Sequence, residues 1–89
     1  FHSAETACAT CHNGTQATNN LSVDVGTGGP FQVPSLRGIS WRAPFMHTGC
    51  AKTLADRFGG SCGGDARHGV TDKLTQPQIA DLVTFLETL

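Results

Sequence analysis

The sequence predicts an all-α fold, and two observations lead to that fold class. The segment with the strongest hydrophobic periodicity has helical spacing, because its apolar residues recur every three or four positions. These residues are Ile79, Leu82, Val83, Leu86 and Leu89. No stretch of the sequence alternates apolar and polar residues in the manner of a half-buried strand. With 89 residues, we expect one domain, residues 1–89.

The predicted C-terminal helix has the clearest boundary signals. Thr75 is expected to cap its N-terminus, Pro77 lies in its first turn, and Gln78 completes a capping box. A second capping box at residues 53–56 predicts a short helix that ends at the glycine pair 59–60.

The N-terminal half has weaker signals. Residues 3–11 are expected to form a short helix, with Ser3 as its N-cap and the Asn-Gly pair after position 12 as its stop. Residues 13–34 are rich in Gly, Thr, Asn and Pro, which predicts an irregular loop. Residues 34–38 are compatible with a helical turn or with more loop.

The composition predicts a thin hydrophobic core. The sequence contains five Phe, one Trp and no Tyr, and so short a chain buries only a marginal apolar surface by itself. We therefore expect a buried apolar group other than a side chain to supply the missing mass.

Charge and hydropathy exclude several classes of function. The net charge of −1 and the 15% of charged residues give neither the basic footprint of a nucleic-acid binder nor a polybasic membrane patch. No apolar run approaches the roughly 20 residues that a transmembrane helix needs. The sequence opens at Phe1 without a methionine, which we interpret as a mature or excised segment from which a signal peptide has been removed.

Residues 8–12 read Cys-Ala-Thr-Cys-His, which is the Cys-x-x-Cys-His pattern of c-type haem attachment. Two thiols three positions apart reach the two vinyl groups of the porphyrin, and the adjacent imidazole then binds the iron. We therefore predict one covalent haem c on Cys8 and Cys11, with His12 as the proximal ligand.

Three other interpretations of this motif were weighed. A thioredoxin-like redox pair is expected beside a βαβ pattern, which is missing from the sequence. A structural disulfide between the two thiols gives no reason for the histidine. A zinc site needs a second closely spaced ligand pair, whereas Cys50 and Cys62 are far apart in the sequence. It stays open as an alternative because His47 or His68 could supply further ligands.

The two remaining cysteines, Cys50 and Cys62, have one possible partner each if haem occupies the first pair. A bridge between them would stabilise the fold by roughly 3 kcal/mol on the chain-entropy model. Disulfides persist in oxidising compartments, so we expect a periplasmic or extracellular protein.

The sixth position of the iron decides between electron transfer and ligand binding. Met46 is the only methionine, and His68 lies in a glycine-rich loop before the last helix. His47 and His2 are weaker candidates for this position.

Several motifs together resemble the C-terminal haem domain of bacterial di-haem cytochrome c peroxidases and their MauG-like relatives. They are Asp-Val-Gly-Thr-Gly-Gly-Pro-Phe at 24–31, Val-Pro-Ser-Leu-Arg-Gly at 33–38, Ala-Pro-Phe-Met-His-Thr-Gly at 43–49 and Thr-Leu at 53–54. With the haem motif before them and the last helix after them, the resemblance covers nearly the whole sequence.

The resemblance implies an all-α cytochrome c fold around one haem, and it implies the electron-transferring half of the family's architecture. The peroxidatic haem of the family belongs to another domain, so peroxidase activity is not expected from this one. In the family the distal ligand comes from beyond the Thr-Leu helix, where this sequence has an expanded loop with His68 and no methionine. This departure places His68 slightly ahead of Met46 as the second ligand.

The resemblance also implies that Arg37 and Trp41 lie near the haem propionates and the haem edge. A guanidinium suits a propionate pair because it offers paired donors that are always charged.

We predict a non-enzymatic electron carrier that exchanges single electrons with a partner protein or a fused redox enzyme domain. One alternative is a haem enzyme or small-ligand sensor with an open or displaceable sixth position. The other is a zinc-binding structural module.

Overall fold

The structure, a computed structural model, describes residues 1–60 and 62–89. Its regular elements are two α-helices, one β-hairpin and three short 3₁₀ helices. They follow one another as α1 (Cys8–Cys11), β1 (Ser22–Asp24), β2 (Pro30–Gln32), 3₁₀ helices Ile39–Trp41, Ala55–Phe58 and Ala66–His68, and α2 (Gln76–Glu87).

The purely all-α prediction is corrected by a hairpin in the segment that was expected to be an irregular loop. Strands β1 and β2 pair antiparallel, with Val23 opposite Phe31. The turn between them begins where the Asp24 side chain accepts a hydrogen bond from the backbone N–H of Gly26 (2.9 Å). Strands of three residues are too short to show a recognisable alternation, which is why the sequence pattern missed them.

The first helix is shorter than predicted. The Ser3 hydroxyl accepts from the backbone N–H of Thr6 (3.2 Å), as a cap would, but only one turn follows. Ala7 then adopts a left-handed conformation (φ 50°), and helix α1 begins after it at Cys8. The predicted N-cap therefore closes a separate turn, because a left-handed residue breaks the helical hydrogen-bond ladder.

Both predicted capping boxes are present. Thr75 accepts from the backbone N–H of Gln78, and the Gln78 side chain accepts from the backbone N–H of Thr75 (2.8 Å). Thr53 and Asp56 form the equivalent reciprocal pair, although the helix they start is 3₁₀ in character. These local signals are reliable because donor and acceptor lie within one turn.

Helix α2 is the main packing element. It buries Leu82 and Leu86 and packs against the 3₁₀ helices Ile39–Trp41 and Ala55–Phe58. The ring of Phe85 lies 4.9 Å from that of Phe1, so the N-terminal segment packs on the C-terminal helix.

The core is thin, in agreement with the composition. The buried apolar residues of the described chain are Ala17, Val33, Ala51, Leu82 and Leu86. Within residues 1–60 and 62–89, no large side chain is fully buried. The polypeptide alone therefore supplies little of the apolar mass that a domain of this size needs.

The predicted Cys50–Cys62 disulfide is present, with its Cα atoms 5.9 Å apart. Next to it, Phe45 and Ala51 exchange backbone hydrogen bonds (2.7 and 3.4 Å). The bridge fixes the ends of the segment that precedes the His68 loop.

We expect Thr75→Ala to lower the free energy of unfolding by about 1 kcal/mol, because the substitution removes a helix N-cap. Urea denaturation monitored by circular dichroism measures the change. The matched control is Thr84→Ala in the same helix, where the exposed hydroxyl donates only to the Ala80 carbonyl (3.0 Å). An equal loss in both variants would contradict the assigned role of the cap.

Candidate haem-binding site

The two thiols of the haem motif lie on helix α1. Cys8 and Cys11 are both free and half-buried, and their spacing of three residues places them on one face of the helix. His12 follows immediately and ends the helix, with its backbone N–H donating to the Cys8 carbonyl (2.9 Å). One helical turn therefore presents both attachment groups and the imidazole.

The His12 ring is oriented by the loop that follows it. Its Nδ1 bonds the carbonyl of Ala17 at 3.4 Å, and Ala17 is itself buried. Burial lowers the pKa of His12, so the ring is neutral near pH 7. A neutral imidazole that donates from Nδ1 keeps the lone pair of Nε2, which is the form that binds a metal.

His68 has the same arrangement in a different segment. Its Nδ1 bonds the carbonyl of Gly63 at 2.8 Å. Its pKa is lowered to about 4, first by burial and then by the charge of Arg57, with a smaller effect from His12. The contribution of His12 to the lowered pKa of His68 is consistent with the two rings lying in the same region of the fold.

The His68 loop is fastened to the segment that precedes the haem motif. The backbone N–H of Val70 donates to the carbonyl of Glu5 (3.0 Å). Gly69 adopts a φ of +88°, and a Cβ at this position would overlap the Thr6 carbonyl oxygen. Only glycine permits this approach, so these contacts hold the loop beside helix α1.

The other side of the same loop is fastened to the hairpin. The backbone N–H of Asp65 donates to the Val25 carbonyl (3.1 Å), against which Gly64 also packs. Arg67 forms ion pairs with Asp24 (2.9 Å) and Asp65 (2.7 Å) and holds the pKa of Asp65 at about 2. These charges are exposed, so they orient the loop more than they stabilise it.

The other candidate ligands lie in different surroundings. Met46 has a φ of 66° and lines an open cleft with Thr27 and the Cys50–Cys62 disulfide. The His47 ring is stacked on Phe31, with centroids 3.9 Å apart, and His2 is exposed against Phe85.

Arg37 and Trp41 lie on the surface of the polypeptide. The Nε of Arg37 donates to the Thr15 carbonyl (2.6 Å). The backbone N–H of Leu36 donates to the Ala17 carbonyl (3.3 Å). The Pro-Ser-Leu-Arg segment is thereby tied to the loop that orients His12. The Trp41 side chain is 90% exposed, so it does not pack in the polypeptide core.

Sequence reasoning missed one charged residue of this region, Arg57. Its side chain donates to the His68 carbonyl and to Thr71 Oγ1 (3.3 Å), and it lies over the Phe58 ring at 4.9 Å. Nothing in the local sequence marks it, because a lone arginine at the end of a short helix usually faces solvent.

The side chains fit a covalent haem and do not fit zinc. Cys50 and Cys62 are joined to each other, which removes them as zinc ligands. Among residues 1–60 and 62–89, no three His, Cys, Asp or Glu side chains are grouped as a metal site. Two free thiols on one helical face beside a neutral imidazole are the groups that c-type haem requires.

This arrangement defines a c-type cytochrome, and the comparison with known families agrees. Residues 2–89 match the cytochrome c family, so the chain belongs to that family. It carries haem c attached through Cys8 and Cys11, and its biochemical role is haem-based electron transfer.

Two curated proteins are similar to the chain over about two thirds of its length. A cytochrome-c peroxidase of Denitromonas iodatirespirans is 39% identical over 67 residues, which cover 68% of this chain and 18% of the peroxidase. The hydrazine synthase subunit gamma of Kuenenia stuttgartiensis is 36% identical over 59 residues, which cover 66% of this chain and 17% of the subunit. The chain thus spans less than a fifth of either relative. No solved structure gives a significant match.

No helix within residues 1–60 and 62–89 combines the length and the apolar character needed to cross a bilayer.

We expect Gly69→Ala to destabilise the protein by about 1–3 kcal/mol more than Gly28→Ala, because the added Cβ meets the Thr6 carbonyl oxygen. Gly28 also has a positive φ (+106°), but a Cβ there meets nothing within 4 Å. Denaturant titration of both purified variants measures the difference. Equal stabilities would show that the close approach at position 69 is not required.

Proposed function

We propose that residues 1–89 form one electron-transfer domain in which His12 and His68 are the two axial ligands of the haem iron. The domain passes single electrons to or from a redox partner, which is a separate protein or another domain of the same chain. The single observation that carries the proposal is the matched state of the two imidazoles. Each has its Nδ1 bonded to a backbone carbonyl, and burial lowers the pKa of each ring.

The placement of the His68 loop supports this ligand pair. The backbone of Val70 is hydrogen-bonded to Glu5, and Gly69 packs on Thr6. Thr6 lies only two residues before Cys8. These contacts hold the segment that carries His68 beside the segment that leads into the haem motif, which supports His68 as the second ligand. Among the described residues, no backbone hydrogen bond joins the Met46 turn to the haem motif, and the Gly49 N–H donates to the Met46 carbonyl (3.0 Å) to close that turn locally.

Haem c supplies a one-electron Fe(III)/Fe(II) couple, and the polypeptide determines what that couple can do. Cys8 and Cys11 hold the group in place covalently. His12 and His68, each fixed in orientation by its carbonyl partner, would occupy both axial positions. With both positions filled by protein, no substrate can reach the metal, so we propose that the domain itself is not a peroxidase.

We also propose that Arg37 pairs with a haem propionate and that Trp41 lies near the haem edge. The Pro-Ser-Leu-Arg segment is bonded to the loop that orients His12, which keeps Arg37 close to the proximal side. An exposed indole in that region offers an apolar surface that a porphyrin edge or a partner protein can cover.

The compartment and the partner are inferred from the disulfide and from the relatives. The Cys50–Cys62 bridge persists outside reducing cytoplasm, so we propose a periplasmic or extracellular site of action. Both relatives are several times longer than the matched region, and their names describe a peroxidase and a hydrazine synthase subunit. By analogy, we propose that the electron partner of this domain is a redox enzyme.

The ligand pair is tested by comparing His68→Ala with Met46→Ala. We expect His68→Ala to change the ferric absorption and paramagnetic resonance spectra, because the iron loses a strong-field ligand. Met46→Ala is the matched control and is expected to leave both spectra unchanged.

Three results would contradict the proposed ligand pair. They are an unchanged spectrum in His68→Ala, a weak far-red band of methionine-ligated ferric haem in the wild type, and rapid binding of carbon monoxide to the reduced wild-type protein. The last result would favour a haem enzyme or ligand sensor with an open sixth position.

A further inference from the structure

Arg57 is a half-buried cation in the middle of the site. It lies in the 3₁₀ helix Ala55–Phe58, and its guanidinium donates to the His68 carbonyl oxygen and to Thr71 Oγ1 (3.3 Å). The same group lies over the Phe58 ring, 4.9 Å from its centroid. Four separate features therefore fix its position: its helix, a loop carbonyl, a hydroxyl and an aromatic face.

The position of the charge is held by the backbone as well. The Cα of Gly63 packs so closely on the Arg57 carbonyl oxygen that a Cβ there would overlap it. Gly63 is also the residue whose carbonyl orients the His68 ring. Arg57 and His68 are therefore both in contact with Gly63.

In the part of the chain that the structure describes, no carboxylate forms an ion pair with Arg57. Asp56, its neighbour in sequence, accepts from the backbone N–H of Thr53 (3.0 Å), and Asp65 is paired with Arg67. Haem attachment converts the nearby Cys8 thiol into an uncharged thioether, so this sulfur supplies no negative charge to Arg57. A guanidinium stays protonated in proteins, so its charge is permanent.

The charge of Arg57 lies beside one of the proposed ligands. Its guanidinium donates to the backbone carbonyl of His68, and Gly63 packs on the Arg57 carbonyl while its own carbonyl bonds the His68 ring. A permanent positive charge at this position opposes further positive charge on a metal that His68 would bind. This opposition is stronger in a partly dehydrated region, where charges are poorly screened.

We propose that Arg57 raises the reduction potential of the domain through its permanent charge. The inference rests on the proposed ligation by His12 and His68. Reduction of a haem held by His12 and His68 would add one electron from a one-electron donor protein and would remove one unit of positive charge. No bond is broken and no proton is transferred. A fixed cation beside the rings favours the reduced state, which carries less positive charge.

The midpoint potentials of Arg57→Met and Arg57→Lys test the proposal in the haem-loaded protein. We expect Arg57→Met to lower the midpoint potential by about 59 mV, which corresponds to a tenfold lower equilibrium constant for one-electron reduction. Arg57→Lys keeps the charge and is expected to retain most of the wild-type potential. Lys73→Met removes an exposed cation and is the control for net charge.

Arg57→Gln is included because it keeps hydrogen-bond donors for the His68 carbonyl and for Thr71 while it removes the charge. Its midpoint potential is expected to fall by about as much as that expected for Arg57→Met. It therefore provides the same test if the methionine variant folds poorly. The proposal is overturned if the neutral variants shift the potential no more than Lys73→Met does. It is also overturned if the midpoint potential of Arg57→Lys falls as far as that of Arg57→Met. The planar shape of the guanidinium, and not its charge, would then be responsible for the wild-type potential.

The ferric spectrum of each variant separates this proposal from the one on which it rests. If the wild-type spectrum is not that of two histidine ligands, the proposed ligation fails whatever the potentials are. If the spectra of wild type and variants all show two histidine ligands and the potentials are equal, only the role of Arg57 fails.

Discussion

The contact between residues 69–70 and residues 5–6 is the constraint on which the rest of the site depends. It joins the N-terminal segment to a loop more than sixty positions later, with one backbone hydrogen bond and one approach that excludes any side chain. Because the contact is made by backbone atoms, it fixes distance and direction more tightly than flexible side chains would. The cysteine pair, its adjacent imidazole and the loop of His68 are thereby gathered into one region despite a separation of more than fifty positions. The polypeptide core is too thin to produce this arrangement by apolar packing alone.

The sequence predicts those features that depend on neighbouring residues. The capping boxes, the buried stripe of the last helix and the disulfide follow from local spacing or from counting cysteines, and the structure contains them. The thioether motif is equally local, which explains why the cofactor was predictable. The hairpin and the left-handed residue Ala7 were not predictable from the sequence. A strand of three residues has no periodic signal, and alanine is not a residue type that indicates a left-handed conformation. The family resemblance supplied the expectation for the His68 loop, but its contacts with residues 5–6 and 25 are long-range and have no sequence signature.

The role proposed for Arg57 was not predictable from the sequence for a related reason. It depends on two hydrogen-bond partners in another segment, His68 and Thr71, and on the lack of an ion-paired carboxylate among the described residues. Arg37 had a recognisable motif but is exposed, whereas Arg57 had no motif and is half-buried.

The disulfide has a consequence for how the protein is made. The four thiols of the chain form two different kinds of bond. Cys8 and Cys11 must remain reduced until they react with the porphyrin vinyl groups, whereas Cys50 and Cys62 must be oxidised to each other. A mispaired bond between the groups would block thioether formation and trap an immature, colourless chain. Biogenesis of this protein thus requires that oxidant and reductant act selectively on different cysteines of one polypeptide. The Cα atoms of Cys50 and Cys62 lie 5.9 Å apart in the folded loop, which is a distance that a disulfide spans. Cys8 and Cys11 are only three positions apart, so they would close the shorter loop and need a reductant to stay free.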